Sequence, residues 1–230
     1  TRVKADSQYV QSHLEDDIVY LKVEAQKSSI FKVDWPVSQK PIELEMLQEF
    51  FQQQKAVIKD VLEIGVYYGG TSLLWGKMVK PLNGSVVALD LQRFSDRLFF
   101  NNTEVEGFIT YVIGDSHSTE IKKDIHQRCS GGVDMLFIDG DHTYLGVKDD
   151  FLSYTDLVRP GGWVVFHDIL DTQIHREAGC YVSILWNEIK DTYPSFELID
   201  LIDPIDQSRF GIGVLHLEKI KSFIPSMRNV

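Results

Sequence analysis

The sequence predicts an α/β protein in which a largely parallel, doubly wound sheet is covered by helices on both faces. Short apolar segments alternate with segments of helical periodicity from about residue 41 onward, which is the pattern of parallel strands joined by crossover helices. Two of the apolar segments end abruptly in ionisable residues. Open α/β sheets bind ligands at the carboxyl ends of their strands, so the same pattern predicts a site at that edge.

The composition fits one globular domain with an acidic surface. The chain has 230 residues, of which 43% are hydrophobic. Its 23 Lys and Arg against 34 Asp and Glu give a net charge of −11, which disfavours nucleic acid as a partner. Neither Cys129 nor Cys180 lies in a zinc-type sequence motif, and two cysteines are too few for a disulfide framework, so we expect a reducing, cytoplasmic setting. Since no apolar run approaches about 18 residues, we expect no membrane partner.

The N-terminal segment, residues 1–40, is predicted to be a helical appendage to a main domain over residues 41–230. It is polar and weakly periodic, with helical spacing around residues 20–25. A packing arm, a lid over the site and a contact in a homo-oligomer are all open roles for it. The main domain then begins with a helix, because Pro41 suits a first turn and is followed by apolar residues at helical spacing.

A glycine-bearing turn follows the first predicted strand, residues 61–64. Gly65, Gly69 and Gly70 lead into a helix over residues 72–79, and glycine lets backbone N–H groups approach a ligand at a helix N-terminus. The spacing differs from the GxGxxG of nicotinamide-binding folds. The second strand ends in Asp90, where a Rossmann-like fold holds ribose hydroxyls.

Three later strands also end in polar residues. The third strand, residues 108–113, ends in Gly114-Asp115-Ser116, and the fourth, residues 135–138, delivers Asp139, Asp141 and His142 into a loop. The fifth, residues 161–166, ends in His167-Asp168. Helices are predicted over residues 118–128, 147–157 and 181–190, and a closing antiparallel pair over residues 196–199 and 211–217.

As a set, these motifs resemble class I S-adenosylmethionine-dependent methyltransferases over about residues 61–217. The resemblance is carried by Glu63-Ile-Gly65-x-x-x-Gly69-Gly70, Asp90, Gly114-Asp115-Ser116, Asp139 and Pro160-Gly161-Gly162. More narrowly, Asp139-Gly-Asp-His142-x-Tyr144 and His167-Asp168 are similar to a metal-dependent sugar and macrolide O-methyltransferase group. That group includes macrocin O-methyltransferase and cephalosporin-hydroxylase-like proteins.

The resemblance implies a Rossmann-like, seven-stranded sheet with an antiparallel last strand, and a role for each motif. Gly65 and the neighbouring turn residues Gly69, Gly70 and Thr71 would carry the methionine portion of S-adenosylmethionine, steered by Glu63. Asp90 would bind the ribose hydroxyls. Asp115 and Ser116 would bind the adenine end.

The resemblance also implies a divalent cation held by Asp139 and Asp168. Other members place an oxygen ligand just before the second acid, whereas this chain has His167, which we expect to be a ligand or a hydrogen-bonding neighbour of magnesium or manganese. The cation would stabilise the alkoxide of the acceptor. His142, with a free pKa near 6.5, would be the general base three residues after Asp139.

We therefore predict metal-dependent methyl transfer from S-adenosylmethionine to a hydroxyl of a small metabolite, glycosylated or not, of the kind made in natural product biosynthesis. Two other functions are open. Asp139, His142 and His167 could form a non-haem iron site for oxygen chemistry, or the chain could be a cofactor-binding partner protein without catalysis. Asp139 as a simple helix cap and His142 as a surface histidine are the non-functional alternatives.

Overall fold

The computed structural model describes residues 2–5, 8–15, 18–22, 39–92, 105–199 and 210–218, and the first three of these ranges by their backbone alone. The strands are β1 Arg2–Ala5, β2 Gln8–Glu15, β3 Ile18–Lys22, β4 Asp60–Ile64, β5 Ser85–Asp90, β6 Ile109–Ile113, β7 Val133–Ile138, β8 Val158–His167, β9 Ser195–Leu198 and β10 Ile212–Leu217. The helices are α1 Pro41–Gln53, α2 Gly70–Val79, α3 Thr119–Arg128, α4 Tyr144–Tyr154, α5 Gln173–Ala178 and α6 Val182–Ile189.

The strands form one sheet in the order β1-β2-β3-β9-β10-β8-β7-β4-β5-β6. Its central part, from β9 to β6, has seven strands. Strands β4 to β8 pair in parallel, and β10 lies antiparallel between β8 and β9. This confirms the predicted Rossmann-like, mostly parallel seven-stranded sheet with an antiparallel last strand.

The N-terminal segment differs from the prediction where it is described: residues 20–22 of the expected helical stretch lie in β3, and residues 23–25 lie outside the described residues. The described parts of residues 1–40 include three strands and no helix. β2 pairs antiparallel with β3, and β3 pairs in parallel with β9, so the sheet grows to ten strands. The segment Ile18-Val-Tyr-Leu is rich in β-branched and aromatic residues, which favour strands. A short apolar run is compatible with both helical and strand periodicity. Here the strand is favoured because β3 pairs with the otherwise open edge of β9.

The sheet is covered on both faces by apolar helix surfaces. Along β7 the side chains alternate: Leu136 and Ile138 pack on one face with α4 and α6, while Met135 and Phe137 pack on the other with α1 and α2. From Met135 to Ile138 this strand is buried on both faces and entirely apolar, as the sequence pattern indicated. Within the described residues, no helix is both long and apolar enough to span a bilayer.

The carboxyl ends of the parallel strands lie in register at one edge. Ile64 pairs with both Leu89 and Ile138, and Ile138 pairs with Phe166. The residues that come next, Gly65, Asp90, Asp139 and His167, therefore share one row, which positions the candidate site.

Candidate active site

A cavity of about 740 Å³ opens at the carboxyl edge of the sheet. Ten of the twelve predicted site residues line it: Gly65, Gly70, Thr71, Asp90, Asp115, Ser116, Asp139, His142, His167 and Asp168. Glu63 and Gly69 do not. The sheet register thus brings the cofactor-type motifs and the carboxylate and imidazole residues into one cavity.

Gly65 lets the turn after β4 pass directly against the loop after β7. Its φ is +88°, a backbone conformation that favours glycine. A Cβ atom at this position would overlap the carbonyl group of Asp139 and lie 2.7 Å from the amide nitrogen of Gly140. The cofactor-type turn and the loop of Asp139 are therefore in backbone contact.

Asp90 holds the same turn from the end of β5. One of its carboxylate oxygens accepts hydrogen bonds from the backbone N–H groups of Val66 and Tyr67, both at 2.8 Å, and the other accepts from the N–H of Gln92 at 3.0 Å. The turn is thus fixed by the acid that was predicted to bind ribose. Asp90 is mostly buried but still lines the cavity.

Glu63 is fully buried beneath the start of α2 and accepts hydrogen bonds from the hydroxyls of Thr71 and Ser72. Burial raises the pKa of Glu63 to about 8, against the lowering effect of these hydroxyls. Its predicted role in steering the methionine portion stays a prediction. The contacts that it makes fix the N-terminus of α2, whose residues Gly70 and Thr71 face the cavity.

The predicted adenine end contains a histidine that the sequence motif did not single out. His117 lines the cavity beside Asp115 and Ser116, and its Nε2 lies 3.3 Å from Oδ1 of Asp150, a fully buried acid on α4. The neighbouring carboxylate of Asp150 raises the pKa of His117 to about 9, although burial opposes the shift. Because His117 directly follows Gly114-Asp115-Ser116, its position in the sequence could have identified it as part of the predicted adenine end.

Two carboxylates and two imidazoles meet at the other end of the cavity. Nε2 of His142 lies 3.2 Å from Oδ1 of Asp139 and 3.0 Å from Oδ2 of Asp168. Nδ1 of His167 lies 3.4 Å from Oδ1 of Asp139 and 3.2 Å from Oδ1 of Asp168. Each of the two imidazoles predicted for catalysis or metal binding therefore contacts both of the predicted carboxylates.

The charges in this cluster compensate one another. Burial alone would raise the pKa of Asp139 and Asp168, yet the neighbouring imidazoles hold the pKa of both carboxyls below the usual range. Hydrogen bonds to Asp139 and Asp168 raise the pKa of His142 to about 10. Burial would lower the pKa of His167, but the charge of Asp139 raises it well above its usual value. In the absence of another cation, protons on the imidazoles neutralise the carboxylates.

The donor set fits a divalent cation. Nδ1 of His167 is buried, has no hydrogen-bond partner among the described residues and faces both carboxylates. The other ring nitrogen, Nε2, lies 3.3 Å from Oε2 of Glu43, which assigns one ring proton to that side, so that Nδ1 would present a lone pair once a cation replaces the second proton. A carboxylate behind a ligand histidine is the usual outer support of a metal site. Asp139, His142 and Asp168 also offer ligand atoms that all lie within 4.8 Å of one another.

Two residues that support this cluster come from outside the predicted set. Glu43 on α1 is buried, and its Oε1 accepts hydrogen bonds from the N–H of Gly211 at 2.7 Å and of Phe210 at 3.3 Å. The side-chain amide of Gln39 donates to Oδ2 of Asp139. Glu43 lies on the same helix face as Leu47, four residues later. An acidic residue on an apolar helix face is the sequence feature that could have identified Glu43 as a site residue. The site thus includes a residue from the segment predicted to be an appendage.

Backbone strain also concentrates at the cavity. Tyr67 and Asp168 have φ values of +50° and +63°, which non-glycine residues adopt only at a cost of about 1 kcal/mol or more. The rings of Tyr67 and Tyr68 pack edge to face with centroids 4.2 Å apart, and both are roughly half exposed on the cavity wall. Strained positions of this kind are typical of functional sites.

Known proteins match part of the chain. A family model described as a methyltransferase domain matches residues 62–169. A caffeoyl-CoA O-methyltransferase from Zinnia elegans is 29% identical over 126 residues, covering 49% of this chain and 46% of that protein. An uncharacterised protein of Acanthamoeba polyphaga mimivirus is 32% identical over 120 residues, covering 48% of this chain and 51% of that protein. The chain therefore spans about half the length of these relatives.

Solved methyltransferases share the fold at low sequence identity. The O-methyltransferase TomG from Streptomyces achromogenes, in complex with SAM, has a TM-score of 0.61 at 18% identity, covering 80% of this chain and 82% of its own. An O-methyltransferase from Bacillus cereus, in complex with SAH, has a TM-score of 0.58 at 17% identity, and the match covers 78% of this chain and 82% of that protein. The predicted methyltransferase fold is confirmed, whereas the narrower sugar and macrolide group stays a prediction.

Proposed function

We propose that this chain is an S-adenosylmethionine-dependent O-methyltransferase that uses a divalent cation held by Asp139, His167 and Asp168. The acceptor would be a hydroxyl of a small metabolite, glycosylated or not. The observation that carries the proposal is the single cavity shared by a cofactor-type turn and a carboxylate and imidazole cluster. The match of a methyltransferase domain to residues 62–169 supports the same function.

The cofactor would lie against the turn after β4 and the N-terminus of α2. Backbone N–H groups at a helix N-terminus favour a carboxylate, so they suit the methionine end of the cofactor. Asp90 retains lone pairs for ribose hydroxyls beyond the three backbone hydrogen bonds that it accepts. Ser116 and His117 then line the part of the cavity assigned to adenine.

The acceptor hydroxyl would be activated at the carboxylate and imidazole cluster. A bound divalent cation supplies Lewis-acid stabilisation of the alkoxide. Once a bound cation replaces the proton that otherwise neutralises Asp139 and Asp168, His142 would take the hydroxyl proton on Nε2, the atom that faces these two carboxylates. The backbone carbonyl of His142 accepts a hydrogen bond from the N–H of Tyr181 at 2.7 Å, which orients the loop that carries the ring.

The chemistry of the cavity limits the cation and the acceptor. An imidazole nitrogen beside two carboxylates suits manganese better than magnesium, which prefers oxygen ligands alone. Among the described residues that line the cavity there is no Lys or Arg, whereas Asp115, Asp139, Asp141 and Asp168 all contribute. An uncharged acceptor fits this lining better than an anionic one.

Calorimetry with S-adenosylmethionine and with Mn²⁺ tests the proposal without knowledge of the acceptor. We expect one equivalent of each to bind. Asp90→Ala should abolish cofactor binding, and Asp168→Asn should abolish Mn²⁺ binding while the cofactor still binds. Asparagine tolerates the positive φ of Asp168, so this variant removes charge with little backbone strain.

Asp171→Asn is the matched control for charge, because Asp171 is an exposed acid three residues away that pairs with Arg176. It should leave both binding reactions unchanged. Absence of cofactor binding to the wild-type chain would refute the methyltransferase assignment. Mn²⁺ binding that survives Asp168→Asn would refute the assigned ligands, and substrate-dependent oxygen uptake by the Fe²⁺-loaded chain would favour the iron alternative.

A further inference from the structure

We propose that the chain carries a second cation site, selective for a soft divalent ion such as zinc, built from Asp168, His175 and Cys180. These three residues each offer one ligand atom, and the three atoms all lie within 4.8 Å of one another. All three residues are at least nine-tenths buried, with exposed fractions of 9%, 4% and 7%. The sequence places Cys180 in no zinc-type motif, so the fold creates this cluster.

The ring of His175 is held so that one nitrogen faces the centre of the cluster. Its Nδ1 donates a hydrogen bond to the backbone carbonyl of Leu170, because a carbonyl oxygen can only accept. Nε2 is therefore the ring atom that faces Asp168, and it lies 3.2 Å from Oδ1. A cation bound between these two atoms would be within reach of both.

The local backbone is shaped to bring the thiol to the imidazole. His175 lies on α5, which ends at Gly179 with a φ of +72°. This left-handed turn lets the N–H of Cys180 donate to the carbonyl of His175 at 2.8 Å, so the two side chains form one chelating unit five residues apart. The ring of Phe210 packs against that of His175, with 5.4 Å between the ring centroids.

Ligand chemistry separates this site from the cluster proposed for catalysis. A thiolate with an imidazole and a carboxylate selects zinc-like ions, with one coordination position left open, and it disfavours magnesium. The two sites share Asp168, whose Oδ2 lies 3.0 Å from Nε2 of His142 and whose Oδ1 lies 3.2 Å from both Nδ1 of His167 and Nε2 of His175. A zinc ion here would connect α5 to the end of β8.

Cobalt titration of the metal-stripped full chain tests the site, because Co²⁺ replaces Zn²⁺ and a cobalt–thiolate bond absorbs in the near ultraviolet. We expect one equivalent of Co²⁺ to produce this band in excess Mg²⁺, and one equivalent of Zn²⁺ to remove it. Cys180→Ser should abolish the band, and His175→Ala should weaken Zn²⁺ binding by at least about tenfold.

Cys129→Ser is the matched control, since Cys129 is the other cysteine and is equally buried. It should keep the band, and so should Asp139→Asn, which alters only the proposed catalytic cluster. Thermal unfolding in a chelator should give the same midpoint for Cys180→Ser and wild type, whereas added Zn²⁺ should raise the midpoint of the wild type alone.

A wild-type chain without the thiolate band would overturn the site and leave His175 as a protonated partner of Asp168. A band that persists in Cys180→Ser would overturn it equally. Neither result affects cofactor binding at the turn after β4, so this inference and the proposed methyltransferase function fail separately.

Discussion

Replacement of Gly65 by alanine should uncouple the two halves of the cavity. A Cβ atom there would overlap the carbonyl of Asp139, and a positive φ costs an alanine about 1–2 kcal/mol. Forcing a methyl group into close packing adds about 1–3 kcal/mol. We expect Gly65→Ala to lower the free energy of unfolding by about 2–5 kcal/mol and to weaken both cofactor and cation binding, because the loop of Asp139 has to shift.

Gly161→Ala isolates the backbone part of this effect. Gly161 has a φ of +83°, yet a Cβ atom there would meet nothing within 4 Å, so this variant should lose only about 1–2 kcal/mol and keep both binding reactions. Urea denaturation monitored by fluorescence gives the two free energies, and calorimetry gives the two affinities. If Gly65→Ala costs no more than Gly161→Ala, or binds both ligands normally, the backbone contact between the two loops does not matter for the site.

Three further substitutions test the buried charges. Glu43→Gln should weaken Mn²⁺ binding by about 10- to 100-fold, because it removes the acceptor that orients His167, and calorimetry should show no such loss for Glu45→Gln on the same helix. Glu63 has a pKa of about 8 in the folded chain, above its ordinary value of 4.5. The free energy of unfolding of the wild type is therefore highest below pH 4.5 and falls as the pH rises from 4.5 to 8, because the unfolded chain loses this proton first. Glu63→Gln should therefore gain about 3–5 kcal/mol relative to wild type over that window in urea denaturation. For His117, with a pKa raised from 6.5 to about 9, the stabilisation is present below pH 6.5 and lost as pH rises through 9, so wild type should exceed His117→Gln by about 1 kcal/mol at pH 6 and by less at pH 10.

Each of these three predictions can be contradicted by a specific result. Equal Mn²⁺ affinity in Glu43→Gln and Glu45→Gln would show that the contact with His167 does not support a cation. A difference between wild type and Glu63→Gln that is constant from pH 4.5 to 8 would mean that Glu63 ionises normally in the folded chain. A pH-independent difference for His117→Gln would mean that its pairing with Asp150 is not charged.

The sequence predicted those strands and helices whose apolar periodicity is visible within a short segment of the chain. The alternation of buried strands and amphipathic helices placed β4 to β8 and β10, and polar residues directly after strands located the cavity, because parallel strands end at one edge. The N-terminal strands were missed, since β3 forms through pairing with β9, which lies about 180 residues away in the chain. Such long-range pairing leaves no periodic signal in a short segment.

Site residues were predictable where a motif ends a strand and were missed where a side chain arrives from another element. Asp139, His142, His167 and Asp168 were found because they follow β7 and β8. Glu43 was missed because a helix acid has meaning only once the helix is known to pack over the ends of the strands. The partnership of His175 with Cys180 was missed because it depends on the left-handed turn at Gly179, which no short-range pattern indicates.

The hydrogen bond from the N–H of Gly211 to Glu43 has a consequence for how the site comes into existence. It joins two residues that are 168 positions apart, and both lie outside residues 62–169, which the methyltransferase model matches. During synthesis, the support behind His167 is therefore absent until the chain has grown past Gly211. A fragment limited to residues 62–169 would lack both Glu43 and Gly211, and with them the contacts that support the proposed cation site.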